Sequence, residues 1–203
     1  MQSELDKSGL SYKIKRRAKD PPSIYQKLVK DKSSIGDLKD LSGVRVNLDV
    51  TKSNFEEYYR VRDILKGNTN YRQVPGRFKD TIKNPLPNGY TGRLHDNFKD
   101  DDGVTHEVQI GSNDLEDFIG HKITMKDGKK ISLHDLFYKG KDLGITVSPD
   151  LANEYKNLIN KITQINGKGE NLNSTLDAQE VQDFFRRVEN SINEGGNPNE
   201  NKD

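Results

Sequence analysis

The chain has 203 residues, 31% of them apolar and 32% charged, with a formal net charge of +1. That length suits one domain with a modest core and a strongly solvated surface. The absence of cysteine excludes disulfides, thiolate catalysis and cysteine-ligated zinc or iron–sulfur centres, and no apolar run approaches the ~18 residues of a membrane span.

The small net charge conceals an uneven distribution. Residues 13–32 hold eight basic side chains (Lys13, Lys15, Arg16, Arg17, Lys19, Lys27, Lys30 and Lys32) against Asp20 and Asp31. Residues 150–203 carry a net −4, which leaves +5 for residues 1–149. A basic front half suits an anionic ligand such as a nucleotide or RNA. The plainer alternative is a solvated charged helix face.

Pro21-Pro22 interrupt the basic run, and Ser23 is placed to cap a short amphipathic helix carrying Ile24, Lys27 and Leu28. Between Gly43 and Val50, apolar Val44, Val46, Leu48 and Val50 alternate with Arg45, Asn47 and Asp49, which predicts a half-buried strand led in by Asp40. Ser53 or Asn54 then caps a helix through Tyr58, Val61 and Leu65, ended by Gly67. Residues 71–103 are rich in Gly, Pro and Asn, with short extended pieces around Val74 and between Tyr90 and Phe98. Asp100-Asp101-Asp102-Gly103 reads as a hairpin turn into a strand over Val104–Ile110, on which Thr105, Glu107 and Gln109 share one face. Ser112 or Asn113 starts a helix through Leu115, Phe118 and Ile119, Lys126–Lys130 is a turn, and Ser132 caps a helix with Leu133, Leu136 and Phe137. Two longer amphipathic helices follow, one striped with Leu151, Tyr155, Leu158, Ile159 and Ile162, the other with Val181, Phe184, Phe185, Val188 and Ile192. Gly195–Asp203 has the composition of a disordered tail.

The side chains that carry chemistry fall in the front two-thirds. Asp40 at the head of one strand and Glu107 within another can converge on one sheet edge, and paired carboxylates are how proteins hold Mg²⁺ beside a substrate's phosphates. Taken singly, each is also an ordinary strand-edge acid. Arg17, Lys19, Ser23, Lys27 and Arg45, with Arg77 and Lys79, form a set able to neutralise a triphosphate. Asn88-Gly89 turns the backbone to present Tyr90 as an exposed ring suited to stacking on a base, although a lone Tyr more often packs. His95, His106, His121 and His134 lack the spacing of a metal cluster, and His106 is expected on the strand face opposite Glu107. No G-x-x-x-x-G-K-S/T or G-x-S-x-G occurs, which excludes a P-loop enzyme and a nucleophile-elbow hydrolase.

These blocks, in this order, resemble the synthetase domain of the RelA/SpoT family, alarmone synthetases that move pyrophosphate from ATP to a nucleotide 3′-hydroxyl. Arg17-Ala18-Lys19 with Ser23-Ile24-Tyr25-Gln26-Lys27 resembles the R-x-K…SIYxK block, which binds ATP. Asp40-Leu41-Ser42-Gly43-Val44-Arg45 resembles D-L-x-G-x-R, whose Asp holds Mg²⁺. Pro75-Gly76-Arg77-Phe78-Lys79-Asp80 resembles the basic loop PGRFKDYI, and Pro87-Asn88-Gly89-Tyr90 resembles P-K-x-N-G-Y, whose Tyr stacks on the acceptor base. Glu107-Val108-Gln109-Ile110 resembles E-V/I-Q-I-R-T, whose Glu acts at the acceptor hydroxyl and the metal. The matching blocks run from Arg17 to about Lys122.

The resemblance implies an α+β, nucleotidyltransferase-like mixed β-sheet of about five strands flanked by helices. Residues 1–145 would form the synthetase domain, 146–194 a helical C-terminal extension packed on it, and 195–203 a disordered tail. It implies Asp40 and Glu107 as the catalytic, Mg²⁺-holding pair, and Arg17, Lys19, Ser23, Lys27, Arg45, Arg77 and Lys79 around ATP. Asn88, Tyr90, Arg93, His95 and Gln109 would receive the acceptor. The departures fall on the acceptor side. Thr81 replaces the usual Tyr, Leu86 a Lys, and Gly111-Ser112 an Arg-Thr pair, while Arg93 occupies one extra residue between Tyr90 and His95 and is expected to restore a cation.

The expected acceptor is therefore a free purine nucleotide, guanosine or adenosine, with the 3′ end of tRNA as the alternative and a non-catalytic nucleotide- or RNA-binding module as the rival class. A cytoplasmic site of action is expected, with delivery as a secreted toxin or effector, a neutralising antitoxin or immunity protein, and a homo-oligomer left open. Only sixteen residues precede Arg17, which suits a domain taken from a longer protein.

Overall fold

A computed structural model of the chain describes residues 2–19, 21–30, 42–50, 54–86, 89–170 and 178–194, without the side chains of Pro22, Ser23, Gln26, Lys27, Lys30 and Ala178. A short helix α1 (Gln2–Asp6) buries Leu5 and leads to strand β1 (Tyr12–Ala18). Helix α2 (Pro21–Lys30) begins at the proline pair, so Ser23 is its third residue and not its cap. Proline's fixed φ and missing N–H suit the first helical position. Strand β2 (Ser42–Leu48) precedes α3 (Phe55–Lys66), whose N-cap Asn54 accepts from the Glu56 N–H. Two short strands, β3 (Tyr71–Gln73) and β4 (Lys79–Asp80), lead to the hairpin of β5 (Leu94–Asp100) and β6 (Thr105–Ser112). Its turn closes with the Gly103 N–H donating to the Asp100 carbonyl. Asp101 and Asp102 are exposed there, as a solvated turn requires.

Ser112 caps α4 (Asn113–Gly120), and Ser132 caps α5 (Leu133–Lys139) after a small hairpin of β7 (Lys122–Thr124) and β8 (Lys130–Ser132). Ser148 caps α6 (Pro149–Gly167), and α7 (Ala178–Glu194) ends the described chain. Each serine hydroxyl satisfies an amide N–H that the first helical turn leaves without a partner. The expected tail, 195–203, lies outside the described residues.

The main sheet has the order β1-β2-β6-β5-β3, with β4 also on β5. Among the described residues of this sheet only the β2–β6 pair is parallel, and the other pairings are antiparallel. The α+β class and the mixed sheet of about five strands flanked by helices are both as expected. Val44, Val46 and Leu48 join Val108, Ile110, Leu94 and Phe98 on one face, covered by Leu5 and by Tyr58, Val61 and Leu65 of α3. Period-two alternation therefore sends Gly43, Arg45 and Asn47 to the other face. A second core gathers Leu115, Phe118 and Ile119 of α4 with apolar residues of α5, α6 and α7, where the Phe137 ring stacks on Tyr155 at 4.1 Å. Among the described residues no helix is long and apolar enough to cross a membrane.

Candidate active site

The polar face of the sheet is built by register. Arg17 of β1 lies opposite Gly43 of β2, which lies beside Glu107 of β6, and Glu107 in turn faces Asn97 of β5. One step along, Lys15, Arg45, Gln109, His95 and Lys79 form a row across five strands. Five separate stretches of sequence thus deliver their polar side chains to one surface.

Glu107 is the centre of that surface. Its side chain keeps 24% of its exposure, with Arg17 Nη2 at 3.8 Å from one carboxylate oxygen and His95 Nδ1 at 3.6 Å from the other. Gln109 Nε2 donates to Glu107 at 3.1 Å. The His95 ring, then the Gln109 amide and the Arg17 guanidinium, hold the carboxyl below its usual range against the opposing effect of burial. Glu107 is therefore an ionised carboxylate with reachable oxygens, set among cations and donors. His106, as expected, serves the opposite face, where its Nε2 lies 2.8 Å from Asp100.

Arg45 is partly committed elsewhere. Its Nε donates to Gln109 Oε1 at 3.0 Å and its Nη1 to Glu116 Oε1 at 3.1 Å. Glu116 also receives Lys15 at 3.2 Å and Arg93 at 2.5 Å. Burial raises the Glu116 carboxyl, but Arg93, Arg45 and Lys15 together outweigh it and hold the group low.

Arg93 departs from expectation. Its side chain is 1% exposed, clasped by Glu116 and donating to Asn47 Oδ1 at 3.2 Å, so it is a buried ion-pair partner and not a cation offered to an acceptor phosphate. Gly111 explains how it fits. A Cβ there would stand 3.1 Å from Arg93 Cγ, so the bare strand backbone makes room for the guanidinium.

Tyr90 also differs from the exposed ring expected. It is half-buried, 5.4 Å from the His95 ring and 5.8 Å from Tyr138, and burial raises its phenol. Its loop is drawn down onto α6. A Cβ at Gly89, where φ is +85°, would fall 2.5 Å from Lys156 Cγ, and one at Gly92 would fall 2.6 Å from Leu115 and Thr163. Glycine is required at both positions for the approach as well as for the backbone angle.

Arg77 and Lys79 are exposed at the rim, and Lys19 is half-buried at the end of β1. Asp40 and Asn88, with the side chains of Ser23 and Lys27, lie outside the described residues. No cluster of three or more metal-ligating side chains occurs among the described residues. The residue that sequence reasoning missed is Glu116. Its signal was a carboxylate three residues before Ile119, on the face of the helix that otherwise buries Leu115, Phe118 and Ile119.

The model of the region found in RelA/SpoT proteins matches residues 16–130 of this chain, more than half its length, and takes in β2, β4, β5 and β6 of the polar face with the end of β1. The chain belongs to the RelA/SpoT family.

A guanosine-3′,5′-bis(diphosphate) 3′-pyrophosphohydrolase of Aquifex aeolicus is 30% identical over 187 residues, 89% of this chain and 24% of that protein. A probable chloroplastic GTP diphosphokinase of Arabidopsis thaliana is 33% identical over 112 residues, 55% of this chain and 15% of that protein. The chain thus spans about a quarter or less of these relatives of the RelA/SpoT family. Among solved structures, small alarmone synthetase 2 from Bacillus subtilis shares the fold, with a TM-score of 0.61, 24% identity and 82% coverage of each chain.

Proposed function

We propose that this chain is a pyrophosphokinase that transfers the β,γ-diphosphoryl group of ATP to the 3′-hydroxyl of a purine nucleotide. The observation that carries the proposal is Glu107, an ionised and partly exposed carboxylate between Arg17 and His95 on a cationic sheet face. The ribose 3′-oxygen attacks the β-phosphorus and the bond from that phosphorus to the α,β-bridging oxygen breaks. AMP leaves with the electron pair, and the hydroxyl proton passes to Glu107 and on to solvent. A carboxyl held low is a weak base, so Glu107 contributes more by orienting the hydroxyl than by deprotonating it. Arg17, Lys19, Arg45, Arg77 and Lys79, with Ser23 and Lys27, hold the triphosphate in line, and positioning plus charge is most of what phosphoryl transfer asks of a protein.

Mg²⁺ is the proposed cofactor. The Glu107 carboxylate supplies the hard oxygens that ion takes, with Asp40 as its partner. Bound there, Mg²⁺ would neutralise phosphate charge. Residues 1–145 are proposed as the synthetase domain and 146–194 as its helical extension, supported by the seating of Gly89 and Gly92 against α6. Unchecked, such a reaction drains ATP. A toxin or effector acting in the cytoplasm and restrained by a neutralising immunity protein is the biological form proposed.

Incubating the folded protein with γ-labelled ATP and Mg²⁺, and separately GDP, GTP, AMP, ADP or deacylated tRNA, tests the reaction. AMP release matched by label on a mononucleotide is expected. Label on tRNA alone would move the acceptor to the tRNA 3′ end. No transfer to any acceptor would refute the enzyme and favour a binding module.

A further inference from the structure

Glu116 lies on α4, outside the strands that carry Glu107, and the reaction proposed above does not use it. A continuous hydrogen-bonded path nevertheless joins the two carboxylates. Glu116 Oε1 accepts from Arg45 Nη1 at 3.1 Å, Arg45 Nε donates to Gln109 Oε1 at 3.0 Å, and Gln109 Nε2 donates to Glu107 Oε2 at 3.1 Å.

The chemistry of that path has a direction. A primary amide has one accepting end and one donating end of nearly equal size. Arg45 can only donate, so the Gln109 oxygen must face it, and the amide nitrogen is thereby turned to Glu107. Arg45 is 27% exposed, so without an anchor its long side chain would be free to turn to water. The anchor is Glu116, which is 7% exposed and fixed from its other side by buried Arg93.

We propose that Glu116 is a positioning residue for Glu107, acting through Arg45 to set the orientation of the Gln109 amide. The catalytic part of this inference rests on the reaction proposed above; the structural part does not. Gln109 then meets Glu107 as a fixed donor, pointing the free lone pairs of that carboxylate toward the open face where an acceptor hydroxyl would arrive. Outer partners of this kind typically matter 10- to 100-fold in activity, because small losses of alignment are expensive at a reacting centre.

The test uses the full chain labelled with ¹⁵N, with the Gln109 side-chain amide signal assigned by its loss in Gln109→Leu. Glu116→Gln should shift that signal and speed its proton exchange by about tenfold or more, as a freed donor does. In the transfer assay, Glu116→Gln should lower kcat about 10- to 100-fold, and Glu116→Asp, which keeps the charge, should restore part of it. The Glu116→Gln, Gln109→Leu double variant should be no slower than the slower single variant, because both break one path. A Gln109 signal unchanged in Glu116→Gln, or losses that multiply in the double variant, would overturn the proposal. Should Glu116→Gln fail to fold, Glu116→Asp, whose carboxylate reaches less far, carries the same two readouts. A wild-type protein without transfer activity would refute the reaction, while the amide signal would still decide the positioning.

Discussion

Arg17 and Glu107 sit on strands separated by a third, yet the Arg17 guanidinium comes within 3.8 Å of the Glu107 carboxylate. It does so across Gly43, the residue in register with both. A Cβ at Gly43 would stand 3.1 Å from Arg17 Nε and 3.2 Å from Cγ. Gly43→Ala should therefore displace Arg17 without unfolding the strand, since the obstacle is a flexible side chain. The KM for ATP should rise about tenfold, with melting temperature little changed. Unaltered ATP kinetics in this variant would mean that the path over Gly43 has no functional use.

Glu107→Gln tests the centre of the site. The change preserves volume and removes one charge from a partly exposed strand position. Turnover should fall by about 10²–10⁴ while the thermal melt stays close to wild type. A variant with near-normal turnover and an intact melt would remove Glu107 from the chemistry.

The strands that carry the site were legible because their alternation is local. Val44, Val46 and Leu48 announce β2, and the acidic turn before Thr105 announces β6. The cap Ser132 was legible for the same reason, and the caps Asn54 and Ser112 to within one residue, since each acts within its own helical turn. Strand β1 was not identified, because an edge strand clothed in Lys13, Lys15, Arg16 and Arg17 has little apolar period to show. The burial of Tyr90 and Arg93 is hidden from the sequence for a different reason. Tyr90 is covered by elements far along the chain, including Tyr138 of α5. Arg93 is buried only because Gly111 leaves it space and Glu116 on α4 neutralises it. Such three-way coincidences leave no trace in any single window of sequence. The expected convergence of Asp40 with Glu107 falls outside the described residues.

The same coincidence makes Arg93 a stability residue. Removing one member of a buried ion pair strands the other charge, which typically costs about 3–5 kcal/mol. Arg93→Met should lower stability on that scale in urea titration. Below the variant's melting temperature, the acceptor KM of the remaining folded protein should be near wild type. A raised acceptor KM with stability unchanged would reinstate Arg93 as a substrate cation.

Tyr90 should divide the two substrates. Loss of a stacked ring is worth ~1–3 kcal/mol per base, so Tyr90→Ala should raise the acceptor KM about 10- to 100-fold and the ATP KM far less. Tyr90→Phe keeps the ring against His95 and Tyr138 and should retain most acceptor affinity. Equal effects of Tyr90→Ala on both substrates would mean that the ring only shapes its loop.

Asp135 gives a prediction about pH. It accepts from the Ser132 hydroxyl at 2.8 Å and lies 2.9 Å from the Lys139 ammonium one helical turn on. Burial raises its carboxyl, but Lys139 and Ser132 outweigh that and hold it at about 2, below the ordinary 3.8. A group whose folded value is depressed stabilises the fold above its unfolded value and loses that contribution as pH falls through the folded one. The contribution of Asp135 is therefore complete above about pH 4 and gone below about pH 2. The side chain is 38% exposed, so solvent screening keeps it to ~1 kcal/mol or less, about 2–4 °C in melting temperature for a chain of this size. Comparing wild type with Asp135→Asn by urea titration at stepped pH isolates it. The stability difference should be constant from pH 7 to about pH 4 and shrink toward zero by about pH 2. A difference that persists undiminished at pH 2 would assign it to the loss of the Ser132 and Lys139 hydrogen bonds and not to the carboxylate charge.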